Sequence, residues 1–466
     1  MADNTHLLAL EAFLAQQPSI KYVPPSSPDF DSMGQVWNAS GAGTSLAVVQ
    51  PQSALDVASL IKFLKSSLIP FTLRSGGHNL EGRAAVDNAL QIDLRALNTV
   101  AVAPDRKSAT VGGGILQGDL GKKLWEEGLA TPTGSVPSVG YTGWATYGGY
   151  GPFSSHWGLG VDQIIGATIV NADGEIQAVD QELLKGIRGA GGLYGVIVDL
   201  TIKVYPLTGF LAGPIIFDST DIAKTFIEFN TAYTNLLDTE GLPPQLTVQP
   251  IVFNSPNGRV LAALFVWSGS EPEISAGKRW AEKILSLAPC TMNLVAPTTS
   301  PEWLAGNAHF PMSAYGSSWT HNLARIPQNV AEVIGRNIAR LPSDPATMFS
   351  VHQLRGPSVE GLGAGEDSVF ATREPHYMLE ILGYATVASA QEEAERWAAQ
   401  MAAEIEEIDP RNVLPTAYIS LYNASRGGLP DKVLDKVYGP KAEVVKALKT
   451  KFDPEDLFRL AVPAID

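Results

Sequence analysis

A single cysteine, Cys290, serves the whole chain of 466 residues. One thiol excludes an internal disulfide and any zinc or iron–sulfur site built from clustered cysteines. By itself it reads as a small buried hydrophobe. Histidine is scarce too, at 7, and none of the seven shows a metal-ligand spacing, so no metal is expected. Positive charge is in deficit: 33 Lys and Arg face 48 Asp and Glu, for a net charge of −15. Such a surface repels phosphate backbones and anionic lipid, so neither nucleic acid nor a membrane is expected as a partner. The longest apolar candidate, VLAALFVW at 260–267, is strand-sized and falls short of a membrane span. The opening MADNTHLLALEAFLAQQ lacks a basic leading region, and Glu11 cuts its apolar run short. It reads as an amphipathic helix after a Thr5 cap, not as a signal peptide, so a cytoplasmic or otherwise intracellular protein is expected. The nucleotide fingerprints G-x-G-x-x-G and G-x-x-x-x-G-K-[ST] are absent as well.

Glycine is what the chain has in quantity, 44 residues, and much of it falls at 76–77, 134–160 and 189–195. Glycine admits positive φ and lets a ligand approach the main chain, and successive bare N–H groups make a nest for an anion. One such cluster reads as a tight turn. Three within two hundred residues point to a large cofactor lying across them. Around them run short strands and a few helices. SALDVASLIKFLKSS has helical spacing, IPFTLR and LQIDL read as strands, TVAVAPDRKSATVGG as a hairpin turning at Pro104-Asp105, and QIIGATIVNADGEIQAV as a second hairpin. VIVDLTIKVYP closes this part at Pro206. Beyond Leu207, long helical stretches such as AQEEAERWAAQMAAEIEEI alternate with strands such as TMFSVHQLR and HYMLEILGYA. The pattern predicts α+β architecture with a second part built on an antiparallel sheet covered by helices.

Five blocks then appear in order: RSGGHNLEG at 74–82, TPTGSVPSVGYTGWATYGGYGPFSSHWGLGVDQI at 131–164, RGAGGLYGVI at 188–197, VYP at 204–206 and KFDPEDLF at 451–458. Together they resemble the berberine-bridge-enzyme-like FAD-linked oxidases, within the vanillyl-alcohol-oxidase/p-cresol-methylhydroxylase superfamily that carries the PCMH-type FAD-binding domain. The resemblance implies a two-part FAD-binding domain over 1–206 with its core at about 42–206, a substrate-binding domain over 207–410, and a C-terminal segment, 411–466, that returns to the FAD domain. It implies that His78 carries a covalent bond to the 8α carbon of the flavin. Arg74, Ser75, Gly76, Gly77 and Asn79 are then expected at the diphosphate. Ser135, Ser138, Val139, Gly140, Gly143, Trp144, Gly148, Gly149 and Gly151 are expected along the flavin, Ile197 near the adenine, and Tyr418 and Ser420 at the tail of the site. Three departures from the family pattern matter. Val136 stands where some relatives have a cysteine bonded to the flavin, so one covalent bond and no cysteinyl bond is expected. Trp144 stands where histidine is usual, and the tail motif reads Tyr418-Ile419-Ser420-Leu421 without its asparagine and second tyrosine.

Flavin oxidation needs a substrate C–H at the flavin and usually a base for an adjacent O–H or N–H. Alternation in FSVHQL puts Ser350, His352 and Leu354 on one face of a strand. If that face looks at the flavin, His352 is the candidate base alongside Tyr418; as a structural histidine it would only hold a hydrogen bond. His376, Tyr377 and Glu380 on REPHYMLEIL are candidate substrate contacts, with Glu380 a base if its face is inward and otherwise a solvated strand residue. His309, Tyr315, Trp319 and His321 read as an aromatic-rich loop that lines a pocket, Trp319 being the candidate substrate contact. The expected activity is that of an FAD-linked, O2-dependent oxidase. Its small-molecule substrate would be an alcohol, amine or activated C–H compound of aromatic, polyketide or alkaloid-like type, from secondary metabolism, with ring formation open. A non-redox cyclase or isomerase on a flavin scaffold and a carbohydrate oxidase remain as alternatives, with a flavin-binding protein without catalysis behind them.

Overall fold

The structure is a computed structural model that describes residues 2–269, 273–308, 313–359, 367–423 and 430–461. Its first sheet holds Lys21–Val23, Ala47–Gln50, Leu90–Asp93 and Phe71–Arg74 in that spatial order. The last three strands are parallel. The helix Ala54–Ser67 makes the crossover, started by Ser53, whose hydroxyl accepts from the Asp56 amide. Its apolar side, Val57, Leu60, Ile61 and Leu64, is wholly buried, as its 3.6-residue spacing requires. The helix expected over SALDVASLIKFLKSS is thus the link of one parallel crossover in a region that otherwise reads as short strands, a few helices and glycine-rich loops. The N-terminal helix runs Ala2–Leu14, so Thr5 lies inside it and is not its cap.

A second, five-stranded antiparallel sheet contains both expected hairpins. Val100–Val102 pairs with Ser108–Gly112, and Ile164–Val170 with Ile176–Ala178. Val196–Lys203 joins them at the centre. The C-terminal helices pack onto this part: Val433, Leu434, Tyr438, Val445 and Leu448 share one core with Leu183, Ile187 and Tyr194. Lys449 is locked there by Asp453 at 2.6 Å, both side chains nearly sealed from solvent.

The third sheet has eight strands. Alternation gives each strand two faces of different character. On one face Phe349, Val351, Leu379 and Ile381 pack under the helices Ile222–Glu240, Gln328–Ile338 and Gln391–Ile408. On the other, Ile251, Met348, Met378, Leu382 and Tyr384 meet Trp37, Tyr150, Phe370 and Tyr418 from the rest of the chain. The second face therefore looks at the glycine-rich loops, and it positions the site.

Candidate active site

The strand Phe71–Arg74 runs directly into the Ser75-Gly76-Gly77-His78-Asn79 loop. Opposite it lies the loop that leads to the short helix Tyr141–Thr146. The two approach main chain to main chain. A Cβ on Gly76 would lie 2.3 Å from the Gly140 nitrogen, and one on Gly140 would lie 2.2 Å from Ser75 Oγ. Gly77, at φ +74°, holds a left-handed backbone that favours glycine. The glycines before the histidine thus bring two loops together and leave a cleft beside bare backbone. The cleft is lined by residues 74–79, by Val139, Gly140, Gly143 and Trp144, by Ile197, and by Tyr418, Ile419 and Ser420.

Four buried polar atoms of cleft residues have no hydrogen-bond partner: Arg74 Nε, Ser75 Oγ, Arg83 Nε and Thr142 Oγ1. Each orphan of this kind costs about 1–3 kcal/mol, so the set fits a ligand rich in acceptor oxygens. Two guanidinium groups, two hydroxyls and an open backbone suit a dinucleotide diphosphate. Arg74 is fixed in place by the Met33 carbonyl and by Asp93 at 3.8 Å. Asn79 does different work. Its side-chain oxygen accepts from the Glu81 and Arg83 amides and shapes the loop.

His78 is half-buried in this cleft, with Nε2 2.9 Å from Ser138 Oγ. Burial, and then the nearby Arg74 charge, push its pKa down to about 4, so the ring is neutral at pH 7. The one thiol of the chain lies on the edge strand Cys290–Asn293 of the large sheet, and the cleft has none.

Some expected residues turn away. Ser135, Ser138, Gly148, Gly149 and Gly151 do not line the cleft, Ser138 reaching it only through His78. Two of these make room for large rings: a Cβ on Gly148 would meet Phe370 and Tyr418, and one on Gly149 would crowd Trp144, whereas one on Gly151 would strike the Thr133 carbonyl oxygen at 1.9 Å. Trp144 fills this glycine socket and donates from Nε1 to the Tyr150 carbonyl at 3.2 Å. Tyr315–Leu323 is a strand, not a loop. Trp319 and Tyr377 lie on the helix-covered face and pack with that core. His321, on the same face, contacts the Ala402 carbonyl through Nε2 at 3.0 Å. These rings are therefore kept from the cleft by the sheet itself. His309 lies outside the described residues.

On the sheet face toward the cleft a polar strip crosses four strands. Ser350 sits directly across from Glu380, and its hydroxyl donates to Glu380 Oε2 at 2.6 Å. His352 Nε2 lies 3.5 Å from the same oxygen and 3.0 Å from Gln249 Nε2. With the Gln249 amide donating, His352 carries its proton on Nδ1; with the amide turned over, Nε2–H is shared by Gln249 and Glu380. Burial alone would raise the Glu380 pKa, but the hydrogen bond and charge of His352, with the Ser350 hydroxyl, outweigh it and hold the carboxyl below its usual range. The two side chains keep 18% and 21% of their surface open, so space adjoins them.

Tyr418 joins strip to cleft. It lines the cleft, its hydroxyl accepts from the Gly149 amide at 3.3 Å, and its ring meets Tyr150 edge-on at 4.9 Å. Burial raises its pKa, and the Glu380 charge adds to that rise. His376 plays a supporting part. Its Nδ1–H donates to the Glu374 carbonyl at 2.7 Å, so Nε2 is left to accept from the Tyr150 hydroxyl at 2.8 Å. Burial lowers its pKa to about 4, so it stays neutral and anchors Tyr150. Sequence reasoning missed Arg83, Thr142, Tyr150 and Thr320. Thr320 pairs directly with Glu380, and its buried hydroxyl has no partner. Arg83 follows one residue behind the RSGGHNLEG block, which was the available signal. Among the described residues no group of acidic, histidine or cysteine side chains forms a metal site, and no helix is long and apolar enough to cross a membrane.

A family model described as an FAD binding domain matches residues 45–180. The chain is 30% identical over 445 residues to the FAD-linked oxidoreductase aurO of Gibberella zeae, spanning 95% of this chain and 85% of that protein. It is 28% identical over 444 residues to the (R)-6-hydroxynicotine oxidase of Paenarthrobacter nicotinovorans, spanning 93% and 94%. A solved structure of the glucooligosaccharide oxidase of Acremonium strictum, whose FAD is described as 6-S-cysteinyl and 8α-N1-histidyl, shares the fold. The TM-score is 0.80 at 19% identity, over 96% of this chain and 97% of that one.

Proposed function

This chain belongs to the FAD-linked oxidoreductases of the berberine-bridge-enzyme-like group, and from that premise we propose that it is an O2-dependent oxidase of a small, largely apolar secondary metabolite. Its FAD is held by one covalent bond, through His78, with the diphosphate between Arg74, Ser75, Arg83 and the bare loop amides. The glucooligosaccharide oxidase carries a histidyl bond in the same fold, and no thiol lines this cleft to make a second one. When bound, FAD supplies the two-electron acceptor for a substrate C–H and returns to its oxidised form with dioxygen.

The chain's own residues supply the rest. The Glu380 carboxylate accepts the proton of a substrate O–H or N–H, or pairs with an ammonium. Ser350 and His352 keep it ionised and aimed. Tyr418 bounds the space between strip and cleft, and Tyr150, fixed by His376, backs it. The observation that carries this reading is Tyr418, which lines the cleft and also feels the Glu380 charge. The apolar surroundings, with Ile251, Met348, Met378 and Leu382 on the same face, suit an aromatic or alicyclic alcohol or amine. Purified protein is expected to be yellow, with the colour in the pellet after acid precipitation, and anaerobic substrate should bleach it. Turnover without bleaching would overturn the oxidase in favour of a non-redox cyclase.

A further inference from the structure

His78 has two ring nitrogens, and the fold treats them differently. Nε2 faces Ser138 Oγ at 2.9 Å. Nδ1 makes no hydrogen bond among the described residues. The contact is held by main chain on both sides. His78 stands two residues after Gly76, Ser138 two residues before Gly140, and those glycines lock the loops together. The ring is further confined by Trp37, at 6.3 Å between centroids and 23° between planes.

We propose that Ser138 is the positioning residue for flavin attachment: by holding Nε2 it leaves Nδ1 to form the bond to the flavin methyl carbon. This rests on the covalent linkage proposed above, through the nitrogen that the 8α-N1-histidyl bond of the glucooligosaccharide oxidase uses, and adds what selects it. In the reactive tautomer Nε2–H donates to Ser138 Oγ and Nδ1 carries a bare lone pair. In the step itself a methyl C–H bond breaks and an Nδ1–C bond forms. The electron pair stays in the ring system, which ends reduced by two electrons. The methyl proton and the imidazole proton balance that reduction. Dioxygen, the oxidant of turnover, then takes both electrons and both protons and leaves as hydrogen peroxide. While the bond forms, positive charge grows on the imidazole, and the Nε2–H to Oγ hydrogen bond becomes charge-assisted and stronger. The neutral ring is available for attack throughout the neutral range, because burial and Arg74 place its pKa at about 4.

The test compares full-length wild type, Ser138→Ala and Ser138→Thr, each produced under riboflavin limitation and then given FAD. Three quantities are read: bound flavin before acid, the rate at which acid-stable flavin forms, and the linked nitrogen in the isolated flavin peptide by NMR. Wild type is expected to give one peptide, linked through Nδ1. Losing a hydrogen bond to a developing charge is expected to slow attachment about 10- to 100-fold in Ser138→Ala and to add Nε2-linked peptide. Threonine should restore both rate and nitrogen. Attachment in Ser138→Ala at the wild-type rate and only through Nδ1 overturns the role of Ser138, as does an Nε2 link in wild type. Absence of acid-stable flavin from wild type sinks the covalent reading itself, and this inference with it. Should the alanine variant bind no FAD, the linked nitrogen in wild type and in the threonine variant still decides.

Discussion

A methyl group placed on Gly76 separates two roles of the glycine loops, the packing of main chain on main chain and the accommodation of cofactor. In Gly76→Ala the new Cβ meets Gly140 N at 2.3 Å and Ser138 O at 2.5 Å. Ordinary contact begins near 3.4 Å, so the two backbones must part by about 1.1 Å, the difference between that and the shortest approach. Neither neighbour is the end of a flexible side chain, so no rotamer change relieves the clash. Overpacking of this kind costs about 1–3 kcal/mol. A displacement near 1 Å in a positioned site costs on the order of 100-fold in rate. His78 and Ser138 ride on the two loops that separate, so acid-stable flavin is expected to fall at least about tenfold while far-UV circular dichroism stays native. Gly143→Ala is the counterpart. Nothing lies within 4 Å of a Cβ there, although the residue lines the cleft. Its Tm should match wild type and its flavin content should drop, because only a bound cofactor competes for that space. Both are read from the visible absorption of the protein and of its acid pellet. Wild-type covalent flavin in Gly76→Ala, or a Gly143→Ala protein as unstable as Gly76→Ala, would refute the reasoning.

Glu380→Gln should keep fold and flavin but lose about 10²- to 10⁴-fold in kcat/KM, the usual worth of a positioned base; undiminished turnover removes Glu380 from the chemistry. Because the Glu380 carboxyl is held low, wild-type kcat/KM should be lost only as pH falls below the usual carboxylate range. His352→Ala removes a group that holds it low, so that acid limb should move to higher pH, and an unmoved limb counts against the pair. Tyr418→Phe removes the acceptor of the buried Gly149 amide, and an unsatisfied amide should lower Tm and slow turnover together. In His78→Ala no acid-stable flavin is expected. Adding Val136→Cys to that variant tests whether position 136 faces the ring: return of colour to the acid pellet marks a thioether, and a colourless pellet counts against that placement.

What the sequence made legible is local. The hairpin at Pro104-Asp105, the helix at 54–67 and the two-faced strand carrying Ser350 and His352 follow from spacing alone, because period and turn chemistry act over a few residues. His352 was likewise findable, since alternation assigns it to the face of Ser350. Which face meets the cleft was not, because that depends on strands and helices more than a hundred residues apart. Trp319 and Tyr377 show the cost. Both look like pocket aromatics in sequence, yet strand pairing puts them under the helices, on the side opposite Glu380. The glycines misled in a subtler way. Gly76 and Gly148 look alike as letters, but one lets two backbones touch and the other yields space to Phe370 and Tyr418. No single-sequence signal distinguishes a glycine that admits a ligand from one that admits a neighbouring ring.

The polarity of the sheet face also bears on what the enzyme oxidises. Gln249, Ser350, His352, Glu380 and Thr320 form a polar strip across it, most of them already engaged with one another, and Ser318 and His376 beside it are bonded elsewhere. The Thr320 hydroxyl, the Asn322 side-chain oxygen and the remaining capacity of Glu380 are left to a ligand. Around the strip lie Ile251, Met348, Met378 and Leu382. A sugar ring seated there would bury more hydroxyls than these few groups can receive, each left over costing about 1–3 kcal/mol. A ring with one hydroxyl or amine would satisfy Glu380 and lay its apolar edge against the methionines and leucine, gaining about 25 cal/mol for each Å² removed from water. On the proposed reading, the carboxylate that takes the proton would also orient the substrate. On this argument a simple aromatic amine or alcohol should outcompete an oligosaccharide by orders of magnitude in kcat/KM, and the reverse ranking in a flavin-bleaching assay would mean that the substrate binds somewhere other than this face.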